Sequence, residues 1–242
     1  MPEQFPTTRF SAVSGAADDD PERRRRSWDT LIAAYWKPIY KYLRVRWRRD
    51  PDEAQDLTQS FFVRAMERDF FASYDPARAR FRTFLRTCLD GFVSNERKAS
   101  EAIKRGGQVI HVPLEFTQAE GEISRMELPS PETLDRYFEI EWTRRLFEMA
   151  LGDLRGHLEA SGKSVHFQLF EIYDVEAPGG TRPTYAELAA QFSLPVTQVT
   201  NFLALARREF RRILLARLRD ITATDDEFRR EARLLLGDAV EP

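Results

Sequence analysis

The 242-residue chain has a single cysteine, Cys88. No intramolecular disulfide is possible, and a cysteine-based metal site is excluded. Cys88 falls on an apolar helical stripe, where a thiol serves as a small buried hydrophobe. Histidine is almost as scarce: His111, His157 and His166 are scattered, without the spacing of metal ligands or of a catalytic triad. No apolar run approaches the ~18 residues needed to span a bilayer. The opening "MPEQFPTTRF" lacks the apolar core of a signal peptide, so the expectation is a soluble, cytoplasmic protein. Period-2 alternation is missing too, and no strand is expected. "SGKSV" at Ser161–Val165 is similar to the end of a phosphate-binding loop, but Gly156 stands one residue too far upstream and no strand precedes it. Acid pairs such as Asp225-Asp226 read as tail solubility rather than acid–base chemistry. No enzyme reading survives, and neither a cofactor nor a metal is expected.

What the chain does have is charge, sorted by segment. Its net charge of −2 argues, taken whole, against a nucleic-acid partner. Arg23 to Arg49, however, holds about ten Lys/Arg against a single Asp, and Arg78 to Arg105 about eight against three acids. From Gly106 to Ala160 the balance reverses, with about eleven acids against five Arg. Pro195 to Asp220 is basic again, and the tail after Ile221 is acidic. Separate cationic blocks suit a protein that touches a polyanion at more than one place. Solvated Arg-rich helix faces are the plainer alternative.

Helical spacing dominates. Trp28, Leu31, Ile32, Tyr35, Trp36, Ile39, Tyr40 and Leu43 predict a helix with a broad apolar face, kinked at Pro38. In "RDPDEAQDLTQSFFVRAMERDFF", Asp50 is an N-cap, Pro51 suits the first helical position and Glu53 completes a capping box. Leu57, Phe61, Phe62, Ala65 and Met66 form its buried side, and Asp56 and Gln59 share the outward one. Asp75-Pro76 breaks the pattern, and "RFRTFLRTCLDGFVSNERKASEAIKRGG" follows as a third helix. Phe81, Phe84, Leu85, Cys88, Leu89 and Phe92 root it in a core; its far half drops the stripe but keeps Arg97, Lys98, Lys104 and Arg105. Gly106-Gly107 suits its C-terminal end.

From Gln108 to about Pro131 prolines and acids read as a linker. Helical spacing resumes at Phe138, Trp142, Leu146, Met149 and Ala150, and again at His166, Leu169, Phe170 and Tyr173. In "TYAELAAQFSLPVTQVTNFLALARREFRRILLARLRD", Thr184 caps a short helix, Ser193-Leu194-Pro195 is a tight turn, and a long basic helix follows. That is the pattern of a helix-turn-helix, a shape that DNA-binding and other helical hairpins share.

In this order the motifs resemble bacterial extracytoplasmic-function sigma factors, the small promoter-recognition subunits of RNA polymerase. The resemblance is closest to a subgroup with an FPTTRW-like start, here Phe5 to Phe10. It continues through Asp56-Leu57-Thr58-Gln59 with Phe61-Phe62, Asp75-Pro76, Arg80 to Leu85, Asn95-Glu96, Lys104 to Gly107, and Tyr185 to Ala189. It implies an all-α protein of two small helical domains joined by a flexible acidic linker. Sigma domain two would span 5–107, the linker 108–135, a helix-turn-helix sigma domain four 136–220, and an acidic extension 221–242. The implied partners are core RNA polymerase and promoter DNA, and the resemblance allows an anti-sigma factor or other regulator. The implied place is the cytoplasm, on the nucleoid when bound to polymerase. The first domain would bind the polymerase clamp and melt the −10 element, the second would read the −35 element, and the acidic linker would thread toward the RNA path.

Individual residues fit these roles in kind. Asp56 and Gln59 offer fixed hydrogen-bonding groups to polymerase, or simply keep a helix soluble. Tyr74, Arg78, Arg80 and Arg82 supply an aromatic ring and guanidiniums for an unstacked base and its phosphates; Tyr74 could equally fold onto its own domain. Asn95, Arg97 and Lys98 lie where the apolar stripe fades and are expected to face DNA. In the second domain Gln198, Thr200 and Asn201 could read bases, with Arg207 and Arg208 on phosphate. The family's recognition helix is richer in cations: Thr200, Phe202 and Leu205 stand at positions where polar or basic residues are expected. Phe202 and Leu205 could instead pack on a tail helix around Phe228 and Leu234–Leu236. Two rival readings therefore stay open: a sigma-derived interaction module that no longer reads DNA, and a helix-turn-helix regulator that does not recruit polymerase.

Overall fold

The computed structural model describes residues 11–99, 114–125, 133–176 and 182–237, with backbone alone at 97–99 and 135. The FPTTRF motif, the Lys104–Gly107 stretch and the side chains of Arg97 and Lys98 lie outside the described residues. Ten α-helices occur among them: α1 (Ala12–Gly15), α2 (Pro21–Val45), α3 (Pro51–Glu67), α4 (Phe81–Ala99), α5 (Phe116–Ser124), α6 (Leu134–Ala160), α7 (Ser164–Phe170), α8 (Tyr185–Phe192), α9 (Val196–Asp220) and α10 (Asp225–Leu236). A 3-10 turn spans Phe70–Ser73 and a π-helical turn Glu171–Val175. No strand occurs among the described residues, and no helix there is long and apolar enough to cross a membrane. The protein is all-α.

The chain divides into two compact units, cut between Arg145 and Leu146 and again between Arg217 and Leu218. The first turns of α6 and the whole tail thus belong with the first unit, so the second is shorter at both ends than the expected 136–220.

In the first unit, side-chain caps start the helices where the sequence places them. Asp20 accepts the Glu22 N–H ahead of Pro21, and Asp50 accepts the Glu53 N–H at 2.8 Å ahead of Pro51. The reciprocal half of the expected capping box differs: the Glu53 carboxylate takes Arg49, at 2.6 Å. Helix α2 continues through Pro38, and every residue from Ala34 to Leu43 is buried, Lys37 and Lys41 included. A helix enclosed on all sides needs covering elements, and α5 and the start of α6 provide them.

Within the expected linker, Phe116–Ser124 instead form α5, which docks on α2. Phe116 lies against the rings of Trp36 and Tyr40, with centroids 5.3 and 4.9 Å away. Glu122 takes both Lys37 and Lys41 at 2.6 Å, and Lys41 also meets the buried Glu141 of α6 at 2.6 Å. Glu120 accepts from Arg44 (2.5 and 3.0 Å) and from the Tyr40 hydroxyl (2.8 Å). Glu120 and Glu122 of the linker are thus partners of cations in α2.

In the second unit, Leu146, Ala150, Leu154 and Leu158 form the buried row of α6, and Val199, Leu203, Ala206 and Leu214 that of α9. Phe210 meets Phe147 and Phe170 at 5.7 and 5.4 Å. Thr184 and Glu187 form a full capping box on α8, and Ser193 closes that helix at φ 55°. The Leu194 N–H returns to the Ala189 carbonyl at 2.9 Å, which gives the tight turn into α9. Ser161–Lys163 is the turn between α6 and α7, with Gly162 at φ 69°, a value that suits glycine, and Ser164 and Val165 open α7.

Candidate nucleic-acid interface

The candidate site of the first unit is built on the start of α4. Phe81 is sunk among aromatic rings: Tyr35 at 5.6 Å, Phe71 at 5.0 Å and Tyr74 at 5.2 Å. Burying one such phenyl ring contributes about 1.5–3 kcal/mol, so the first turn of α4 is firmly placed. Trp28 stacks on Phe71 at 4.8 Å from the other side and gives its indole N–H to the Ala16 carbonyl. Further along α4, Asp90 accepts from Tyr42 (3.2 Å) and from the Trp47 indole (3.0 Å), fixing α4 to α2.

Four of the expected −10 residues gather at this end. Arg78 is exposed and pairs with Asp75 at 3.2 Å. The other three engage carboxylates of the first unit. Tyr74 is half-buried, its ring on Phe81 and Phe84, and its hydroxyl lies 3.0 Å from Glu227 and 3.1 Å from the Ala79 carbonyl. Burial, reinforced by the Glu227 charge, pushes its phenol well above the ordinary tyrosine range. Arg80 lies 3.5 Å from Glu231. Arg82 is 6 % exposed, hydrogen-bonded to Glu231, 3.5 Å from Glu139, and 4.5 Å over the Trp142 ring. Arg82 was expected to face DNA; here it is inside. Its place on the row Arg82, Leu85, Leu89 was the available signal, since the two leucines are fully buried.

Asn95 is exposed on the far half of α4 and lines a cleft of about 650 Å³ with Arg64, Arg68, Phe70, Cys88 and Phe92. Arg64 ties α3 to α4 through Glu96 at 2.6 Å and lies 5.4 Å over Phe92. Burial pushes the Cys88 thiol up, which keeps it protonated. The expected polymerase residues sit on α3 as the spacing requires: Asp56 exposed and Gln59 half-exposed, opposite the buried Ala54, Phe61, Phe62 and Ala65.

In the second unit Gln198, Thr200 and Asn201 are exposed on the first turns of α9, with the Thr200 hydroxyl returned to the Val196 carbonyl. Arg208 is exposed, but Arg207 is held by Asp174 through two bonds (2.8 and 3.0 Å) and lies 5.3 Å over Tyr173. The tail docking expected at Phe202 is also revised. Phe202 stacks on His166 at 3.7 Å within the second unit, whereas Phe228 is buried in the first, beneath Arg219 at 3.9 Å. Sequence reasoning missed Glu227 and Glu231, although they recur at i, i+4 beside Phe228 and Ala232, the spacing of a buried face.

Residues 31–101 match the Sigma-70 region 2 family. The match begins within α2 and runs through α3 and the described part of α4, so the chain carries a Sigma-70 region 2 domain, and Asp56, Gln59 and Tyr74 through Asn95 all fall inside it. Neither a comparison with curated proteins nor one with solved structures returns a match.

Proposed function

We propose that the protein is an extracytoplasmic-function sigma factor that recruits core RNA polymerase to promoters and opens the DNA there, with no covalent step of its own. The observation that carries this reading is the region 2 match, which covers α3 with Asp56 and Gln59, the segment holding Tyr74, and the arginines of α4. Asp56 and Gln59 face the polymerase clamp. Arg78, Asn95 and the backbone positions of Arg97 and Lys98 border the −10 element, and unstacked bases captured beside Tyr74 offset the cost of opening the duplex. In the second unit α8 and α9 form the −35 reader, through Gln198, Thr200, Asn201 and Arg208. The cytoplasm is its place of action.

The test is reconstitution. Purified protein, mixed with core polymerase lacking its own specificity subunit, is expected to form a stoichiometric complex and start transcripts at defined positions on a genomic DNA library. Asp56→Arg with Gln59→Ala is expected to weaken that complex at least about tenfold. No complex and no transcript would end this reading. The capture of Arg207 by Asp174 favours one rival, an interaction module without −35 reading. A stable complex that starts RNA at no preferred position would support that rival.

A further inference from the structure

Helix α10 lies on three residues that the sequence placed at the −10 element, Tyr74, Arg80 and Arg82. Glu227 and Glu231, four residues apart, project from one face of α10 and are each 2 % exposed. One Glu227 oxygen accepts the Phe81 N–H at 2.7 Å and lies 3.0 Å from the Tyr74 hydroxyl; the other accepts the Ala223 N–H at 2.9 Å. Glu231 takes the guanidinium of Arg82 and lies 3.5 Å from that of Arg80. A backbone N–H without an intrahelical acceptor at the start of a 19-residue helix, a phenol and two guanidiniums converge on one place. That donor set suits phosphate oxygens, and here two carboxylates fill it.

Three features make this occupant replaceable. Helix α10 has only 12 residues, too few to be stable in water away from its seat. Its outer face, with Asp225, Asp226, Arg229, Arg230 and Arg233, is exposed. Burial drives the Glu231 carboxyl above its ordinary range even though Arg82 and Arg80 lie beside it, so the pair does not fully offset its own desolvation. The Arg82 Nε is also buried with no acceptor among the described residues.

We propose that α10 is an internal substitute for nucleic-acid phosphate: it fills an anion site made by the Phe81 N–H, Tyr74, Arg80 and Arg82, and must leave before DNA binds there. This rests on the sigma-factor reading, which puts promoter DNA at this end of α4. Release of α10 melts it, removes Glu231 from both arginines, leaving Arg82 only the longer Glu139 contact and the Trp142 ring, and exposes the start of α4 in one step, so the tail sets the fraction of molecules competent for DNA.

The experiment uses the whole chain, alone and with core polymerase, and a fluorescein-labelled single-stranded oligonucleotide of mixed sequence. Glu227→Gln with Glu231→Gln is expected to bind the oligonucleotide at least about tenfold more tightly than the unaltered chain, with polymerase affinity unchanged. Hydrogen–deuterium exchange on the unaltered chain gives an independent readout: the amides of Asp225–Leu236 are expected to lose protection when the oligonucleotide is added. Should the double variant fail to fold, the exchange experiment decides alone. Protection retained in α10 with the oligonucleotide bound overturns the proposal, as does failure of the oligonucleotide to bind any form. If defined transcripts start while α10 stays protected, the latch is wrong and the sigma-factor reading stands; if no complex with polymerase forms, it is the sigma-factor reading that has failed.

Discussion

The two units treat their cations differently. In the first, several of the lysines and arginines that make the sequence look polyanion-seeking are met by acids from remote stretches of the same chain. Lys37, Lys41 and Arg44 meet Glu120, Glu122 and Glu141, and Arg80 and Arg82 meet Glu231. In the second, pairs such as Arg217–Asp153 and Arg155–Glu171 stay partly in solvent. At the start of α9, Gln198, Thr200 and Asn201 carry no charge and are exposed. Segregated charge along a sequence therefore has two meanings. It can mark a surface waiting for an outside polyanion, or two segments of one chain that complete each other; the first unit uses much of its positive charge in the second way.

The sharpest way to break this contrast is to remove one buried cation. Lys41 is 1 % exposed and Glu141 2 %, so Lys41→Met leaves a carboxylate buried without its nearest ammonium and is expected to cost about 3–5 kcal/mol. Adding Glu141→Leu should recover most of that loss, because both charges are then gone. All four tryptophans, Trp28, Trp36, Trp47 and Trp142, belong to the first unit, so urea unfolding followed by their fluorescence reports on it alone. The matching change in the second unit, Asp153→Asn beside Arg217, involves side chains 36 % and 34 % exposed and is expected to cost under about 1 kcal/mol. Circular dichroism of the full chain measures it. Equal costs at the two sites would show that burial does not distinguish them.

Why the sequence revealed so much of one unit and so little of the other's electrostatics follows from range. Helices are local objects: the caps at Asp50 and Thr184, the Ser193 turn and the apolar rows of α2, α3, α4 and α9 are decided within a few residues, and each formed as its spacing predicts. The role of Lys41 is decided by Glu122 and Glu141, more than eighty residues away, and no periodicity within α2 reports them. The same holds for Arg82 and Glu231. A retrospective signal did exist. A stretch such as Ala34–Leu43, apolar on three sides, is buried on the fourth as well, and its lysines must then find acids. The acidic stretch from Gly106 to Ala160 supplied them.

A smaller effect separates Arg207 from Arg208. Adjacent in sequence, they differ in that Arg207 is bound by Asp174 while Arg208 is exposed. Arg207→Gln is expected to lower the stability of the second unit by about 0.5–1 kcal/mol, discounted because the side chain is 41 % exposed. It should leave the salt dependence of DNA binding unchanged. Arg208→Gln should do the reverse, leaving stability alone and reducing the slope of log affinity against log salt by about one. Duplex-DNA titrations across a salt series distinguish the two. If both variants shift the slope equally, the Asp174 contact does not hold in solution.

The finest test compares the two acidic segments that cover the first unit. For Glu120, the Arg44 hydrogen bond holds the carboxyl below its ordinary value of 4.5. For Glu122, burial works to raise it, but the bonds from Lys37 and Lys41 outweigh burial and the net shift is again downward. A depressed folded value means stability that is present above the ordinary carboxylate range and lost as pH falls through the folded value, so acid loosens α5. Glu231 is the opposite case: burial outweighs Arg82 and Arg80, with Glu227 adding repulsion, and its folded value is raised. Its protonated form favours the fold, so the contribution is complete at low pH and fades as pH rises through that raised value. Carboxyl carbon shifts of glutamate, followed by nuclear magnetic resonance through an acid titration, should place Glu120 and Glu122 below 4.5 and Glu231 above it. Midpoints in the reverse order would mean that α10, rather than α5, is the cover held by fully effective ion pairs, and the case for α10 as the replaceable one would lose its energetic basis.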